Sequence, residues 1–167
     1  MENQRPNVSD NFEVTVYTDG AASGNPGPGG YGIILMCNGN QKELSGGFAH
    51  TTNNRMELMA VIVALEALKY DNCQVHIFTD SSYVVRAVEE GWLARWEYAA
   101  FKKKKNGDLW LRFLKIYRKH QVRFHWLKGH AGNPFNERCD RLAVAASRQP
   151  DLPEDKGYLQ PVVGKLL

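Results

Sequence analysis

Four acidic residues, Asp19, Glu57, Asp80 and Asp140, stand where a sequence building only a core would not place a charge. Asp19 closes the run Val14-Thr15-Val16-Tyr17-Thr18, and Asp80 closes Val75-His76-Ile77-Phe78-Thr79. Two strand-like segments therefore end in the same Thr-Asp pair. Glu57 falls near the start of a long helical stretch, and Asp140 in the second turn of another. Four carboxylates gathered together would repel unless a cation held them. Oxygen ligands without an accompanying Cys or His cluster select Mg²⁺, or Mn²⁺, over zinc. Two such ions roughly 3.5–4 Å apart suit phosphodiester hydrolysis, one activating a water and the other stabilising the leaving oxygen.

Each acid also has a plainer reading. Asp is common in turns after strands. Asn54-Arg55-Met56-Glu57 has capping-box spacing, with Asn54 as N-cap and Glu57 at N3. Asp140 flanks the stripe Phe135, Cys139, Leu142 and Ala146 and could be a solvated helix flank. Their joint placement decides for a site, and that placement depends on the elements.

Segments 13–18, 31–37 and 43–49 read as three strands, alternating or continuously apolar and β-branched. A Gly- and Pro-rich loop joins the first two, and Asn38-Gly39-Asn40 turns the second into the third. A helix is expected over 54–70, with Leu58, Ile62, Leu65 and Leu68 at helical spacing. A strand at 74–79, a helix at 81–90, helical pieces near 92–98 and 107–119, a strand at 121–127 and a helix at 134–147 follow. The hairpins set the first strand up, the second down and the third up. The long helix then descends, and a crossover brings the fourth strand up, parallel to the first. The fifth strand also ascends. The fold class is thus α/β, a five-stranded mixed sheet with three antiparallel and then two parallel strands, flanked by helices. Parallel strands present ligands at their carboxyl ends, where all four acids fall.

His130 lands there too, between Gly129 and Ala131-Gly132. It is either an exposed loop residue or a proton shuttle, for which an ordinary pKa of roughly 6.5 suits it. The stretch Gly24-Asn25-Pro26-Gly27-Pro28-Gly29-Gly30 lacks the Gly-Lys-Ser/Thr ending of a nucleotide P-loop and leads into a strand. It serves either a close approach to a ligand or hairpin geometry. Thr51-Thr52-Asn53-Asn54 would cap a helix, and the same groups could bind a phosphate or sugar. Trp92 and Trp96 are neighbours on one helical face, available for packing or for stacking on nucleic acid.

At 167 residues, the chain suits one domain. No apolar run reaches the roughly 20 residues of a membrane span, and the N-terminus lacks the form of a signal peptide. Cys37, Cys73 and Cys139 show no paired or zinc spacing and read as reduced thiols in a cytoplasmic protein. Net charge is only +3, but residues 92–120 hold nine Lys or Arg against Glu97 and Asp108, which is +7 and leaves −4 elsewhere. Lys102, Lys103, Lys104 and Lys105 form its densest run, a solvated loop or a polyanion contact. Residues 1–12 read as a flexible segment, 13–149 as the catalytic domain and 150–167 as a C-terminal extension over the surface.

Five spaced motifs resemble the bacterial type 1 ribonuclease H family over residues 13–149. They are Tyr17-Thr18-Asp19-Gly20, Gly24 to Gly32, Thr51-Thr52-Asn53-Asn54-Arg55-Met56-Glu57-Leu58, Thr79-Asp80-Ser81, and Lys128-Gly129-His130-Ala131-Gly132 with Asn136-Glu137-Arg138-Cys139-Asp140. The resemblance implies an endonuclease that cuts the RNA strand of RNA–DNA hybrids and leaves 5′-phosphate and 3′-hydroxyl ends. It implies two Mg²⁺ ions, with Mn²⁺ able to substitute. Asp19 would bridge both ions, Asp140 would help hold the water-activating one, and Glu57 and Asp80 would hold the other. His130 would assist proton transfer or product release. Asn25, Asn53 and Asn54 match contacts to hybrid backbone and bases, and Thr52 matches a DNA-phosphate contact. Ser82 stands where many relatives carry Gln, at a base-contact position. The basic segment is a few residues shorter than usual in the family. The implied partner is the hybrid duplex, engaged by a monomer, with no membrane. Two other readings remain open: a DNA-directed nuclease of the same fold, and a non-catalytic nucleic-acid-binding module.

Overall fold

The computed structural model describes residues 12–90, 105–128 and 132–159. The helical piece expected near 92–98, with Trp92 and Trp96, lies outside the described residues, as do Lys102, Lys103, Lys104 and His130. Five strands form one sheet: β1 (Glu13–Ala22), β2 (Gly27–Cys37), β3 (Asn40–Thr51), β4 (Gln74–Thr79) and β5 (Gln121–Trp126). Their order is β3-β2-β1-β4-β5. The first three are antiparallel, and β1–β4 and β4–β5 are parallel, as the sequence leads one to expect.

Strands β1 and β2 run well into the stretch read as a loop, leaving only residues 23–26 between them. The reason lies in the helix α4 (Pro134–Ser147), which rests directly on β2. A Cβ at Gly30 or Gly32 would come within 2.3 or 2.2 Å of the carbonyl oxygens of Ala143 and Cys139. These glycines are strand residues that admit a helix, which is hairpin and packing geometry. The β2–β3 turn follows its sequence signal: Asn38 and Gly39 both take positive φ, 50° and 77°.

Helix α1 (Asn53–Glu66) is apolar nearly all round, with Met56, Leu58, Ala60, Val61, Ile62, Ala64 and Leu65 all fully buried. It packs against Val14, Val16 and Ile33 of the sheet and against Trp110 and Phe113 of α3 (Gly107–Tyr117). Burial of each large side chain contributes roughly 1.5–3 kcal/mol. The helix stops at Glu66, short of the expected Tyr70, and the chain turns through Asn72 at φ 58° to enter β4. On the opposite face, Tyr17 stacks on Phe78 and meets Phe135 of α4, ring centroids 4.9 Å apart in each case.

Helix α2 (Ser82–Glu89) follows β4, and a short α5 (Lys156–Leu159) ends the described chain. Residues 150–159 do more than cross the surface. Pro153 accepts the Ala49 amide at 2.9 Å, and Asp155 is 3% exposed. Among the described residues, no helix is long and apolar enough to cross a membrane.

Candidate active site

Strand β1 pairs with β4 up to Tyr17 and Phe78, while its pairing with β2 continues to Ala22 and Gly29. Beyond Phe78 the two parallel strands part. Extending their register sets Asp19 beside Asp80 at the mouth of that crevice. Asp19 is therefore inside β1, opposite Gly32, and its strand does not end there. Gly20 brings the third acid in. A Cβ at Gly20 would sit 2.3 Å from the Glu57 nitrogen, so only glycine lets β1 touch α1 at this point.

Carboxylate oxygens of Asp19, Glu57 and Asp80 lie within 4.8 Å of one another. Asp140, on α4, stands outside that set but near enough to repel Asp19. Helix α4 is started by Asn133, whose side chain accepts the Phe135 and Asn136 amides at 3.0 Å.

The cluster is electrostatically strained. Asp19 is 4% exposed, and its Oδ1 accepts the Gly20 amide at 2.9 Å while Oδ2 has no partner. Burial, then repulsion from Asp80, raises its pKa from 3.8 to about 8 against the Gly20 hydrogen bond, with Asp140 and Glu57 adding to the rise. Burial likewise lifts Glu57 to about 7; a hydrogen bond from Ser81 opposes this, and Asp80 adds to it. Converging, desolvated carboxylates with an unfilled oxygen fit a hard divalent cation, which would satisfy the oxygen and cancel the repulsion.

Glu57 does not close a capping box. The N-cap is Thr52, two residues earlier than expected, and its side chain accepts the Arg55 amide at 3.3 Å. This shift leaves Glu57 in the second turn, where Ser81 Oγ donates to its Oε2 at 2.5 Å.

Two of the polar residues expected to touch substrate, Asn25 and Asn53, are interlocked. Asn25 Oδ1 accepts the Asn53 amide at 3.0 Å, and Asn53 Oδ1 accepts the Ala22 amide at 2.5 Å. With their oxygens engaged, both side chains present NH₂ donors. Asn54, Ser82 and Lys105 are exposed, at the start of α1, the start of α2 and just before α3.

The RNase H family model matches residues 11–148. The chain belongs to the RNase H family. The ribonuclease H of Desulforamulus reducens is 56% identical over 158 residues, which is 92% of this chain and 97% of that one. Among solved structures, LC9-RNase H1, a type 1 RNase H with the type 2 active-site motif, superposes with a TM-score of 0.73 at 31% identity, over 81% of this chain and 72% of that one. LC11-RNase H1, solved in complex with an RNA/DNA hybrid, gives 0.61 at 30% identity, over 80% and 95%. The protein is thus an enzyme of the hydrolase class, with the α/β sheet of its RNase H neighbours.

Three further residues lie close in chain or space to the acids of this RNase H site, and none of them was given a role from sequence alone. Ser81 both holds Glu57 and caps α2, accepting the Val84 amide at 3.3 Å. Its signal was position, directly after a strand-ending Asp. Trp126, 53% exposed, donates its indole N–H to the Asp80 carbonyl at 3.3 Å. Asn136 is 1% exposed, one turn before Asp140, and neither amide atom has a partner. Its sequence marks were its place at the head of the Asn136–Asp140 motif and its i, i+4 relation to an acid.

Proposed function

We propose that the chain hydrolyses the RNA strand of RNA–DNA hybrids at the Asp19, Glu57, Asp80 and Asp140 cluster. The observation that carries this reading is the convergence of Asp19, Glu57 and Asp80 at one point, where buried Asp19 also has an oxygen without a partner. Asp19, Glu57 and Asp80 would hold Mg²⁺, with Asp140 contributing from α4, and Mn²⁺ could take the same oxygens. When bound, two such ions would lower the pKa of a water and neutralise the leaving oxygen. Water adds to phosphorus, the bond to the 3′ oxygen breaks, and the products carry 5′-phosphate and 3′-hydroxyl ends.

The chain's own groups supply recognition. With their oxygens engaged by backbone amides, the NH₂ groups of Asn25 and Asn53 would suit acceptors such as a ribose 2′-oxygen or a minor-groove base edge. Asn54 and Ser82 join them at the helix starts. The Thr52 turn at the α1 N-terminus suits a phosphate of the DNA strand. Lys102, Lys103, Lys104 and Lys105 add sequence-independent attraction, and Trp92 and Trp96 add stacking surface. His130 moves the proton. The enzyme works as a cytoplasmic monomer.

The test is one labelled sequence presented as RNA–DNA hybrid, double-stranded RNA, single-stranded RNA and double-stranded DNA, with Mg²⁺ and with EDTA. Cutting confined to the RNA of the hybrid, and dependent on metal, is the expected result. Cutting of DNA would favour a DNA-directed nuclease. Metal-independent binding without cutting would favour a binding module.

A further inference from the structure

Arg55 lies in the first turn of α1, between Asn53 and Glu57, yet is 2% exposed. Its Nε and Nη2 donate to Asp155 at 2.7 and 2.9 Å. Nη1 and Nη2 donate to Asp108 at 2.8 and 2.7 Å, and Nη1 also reaches Asn106 Oδ1 at 3.3 Å. A guanidinium offers five N–H groups in a planar fork, and all are used here.

The network extends from this centre into four segments. Asp155 Oδ2 also accepts from Thr51 Oγ1 at 2.7 Å, next to the N-cap of α1. Asn106 follows Lys105 directly, and its Nδ2 donates to the Tyr83 hydroxyl at 3.1 Å. That hydroxyl accepts the Trp110 indole N–H at 2.9 Å as well, so α2, which starts right after Asp80 and Ser81, is tied in. The tail closes tightly over the cluster. A Cβ at Gly157 would come 1.9 Å from Asp108 Oδ2 and 2.9 Å from Arg55 Nη2.

A buried ion cluster adds little net stability over apolar packing of equal volume. What it does fix is relative placement, and misplacement by about 1 Å can cost a reaction about 100-fold. We propose that Asp155 is a positioning residue for hybrid cleavage. Through Arg55 it holds the start of α1, with Asn53 and Glu57, in register with α2 and with Asn106 and Asp108 at the start of α3. The residues after 149 are then part of the site's frame. This inference rests on the function proposed above.

The experiment uses the full chain carrying Asp155→Asn, which keeps shape and removes the charge. Residue-resolved amide exchange is measured beside hybrid cleavage across a Mg²⁺ titration. Expected is exchange about 10-fold faster at residues 53–57 and at Ala22, with β4 and the Leu65 end of α1 unchanged. The Mg²⁺ needed for half-maximal rate should rise several-fold. Thr51→Val, which leaves the charges intact, should show the same local pattern more weakly and covers the case in which Asp155→Asn does not fold. Arg112→Gln breaks an exposed pair with Glu66 at the other end of α1 and should move neither readout. Faster exchange spread evenly over the fold, or none at all, overturns the proposal. If the wild-type chain leaves the hybrid uncut while the local exchange change appears, the function reading falls and the positioning role stands.

Discussion

Ser81 Oγ donates to Glu57 Oε2 at 2.5 Å and accepts the Val84 amide at 3.3 Å, so one hydroxyl links α1 to the start of α2. Replacing Ser81 with Ala removes the group that orients Glu57 and the cap of α2 together. Loss of such a cap costs about 1 kcal/mol, small enough for the fold to survive. Hybrid cleavage should fall roughly 10-fold, with more Mg²⁺ needed for half-maximal rate. A metal titration of the cleavage rate measures this, and an unaltered curve would remove Ser81 from the site.

Asp80→Asn takes away one carboxylate of the cluster and eases the repulsion on Asp19 and Glu57. The variant should fold and bind hybrid while losing about three orders of magnitude in turnover. Single-turnover cleavage together with a binding assay separates the two properties. Cleavage near the wild-type rate would falsify the metal assignment.

The raised acids also predict how stability follows pH. Asp19 and Glu57 ionise in the fold near pH 8 and 7, above their ordinary values of 3.8 and 4.5. The folded state therefore binds their protons more tightly than the unfolded chain does. Their contribution is fully present below the ordinary values and is lost as pH rises through 7 to 8. In EDTA, the urea midpoint should decline between pH 5 and pH 8, and Asp19→Asn should flatten much of that decline. Mg²⁺ should restore the midpoint at pH 8 and do little at pH 5, because protons and metal compete for the same oxygens. A midpoint that holds level or climbs in EDTA would contradict the clustered geometry.

Ala in place of Lys102, Lys103, Lys104 and Lys105 should weaken hybrid binding at every sequence. The slope of log affinity against log salt should shrink by roughly 0.7–0.9 for each phosphate that the lysines no longer neutralise. Binding isotherms at several salt concentrations give the slope directly, and no change would mean that the run stays clear of the substrate.

Strand order and direction were legible because hairpin and crossover rules act on short-range signals such as Asn38-Gly39. That Asp19 and Asp80 come side by side was legible because Thr-Asp recurs on two parallel strands at matching register. Glycine density in 20–30 misled, since the same residue serves turns and helix contacts, and only the position of α4 tells which is needed. The cap was displaced because Thr52 and Asn54 are both good N-caps, and the choice fell to the neighbouring Asn25–Asn53–Ala22 bonds. Asp155 was invisible for another reason. Its partners, Thr51 and Arg55, lie 104 and 100 residues away, and no local pattern marks an acid for burial at that distance.

That separation has a consequence in time. A chain emerges N-terminus first at about 5–20 residues per second. Arg55 is thus made about 5–20 s before Asp155, the acid 100 residues downstream that receives two of its hydrogen bonds. During that interval the helix bearing Glu57 has its guanidinium only partly matched. If Asp155 frames the site as proposed, the acids of α1 and β1 reach their final arrangement only after the residues beyond 149 have been made and laid over Arg55.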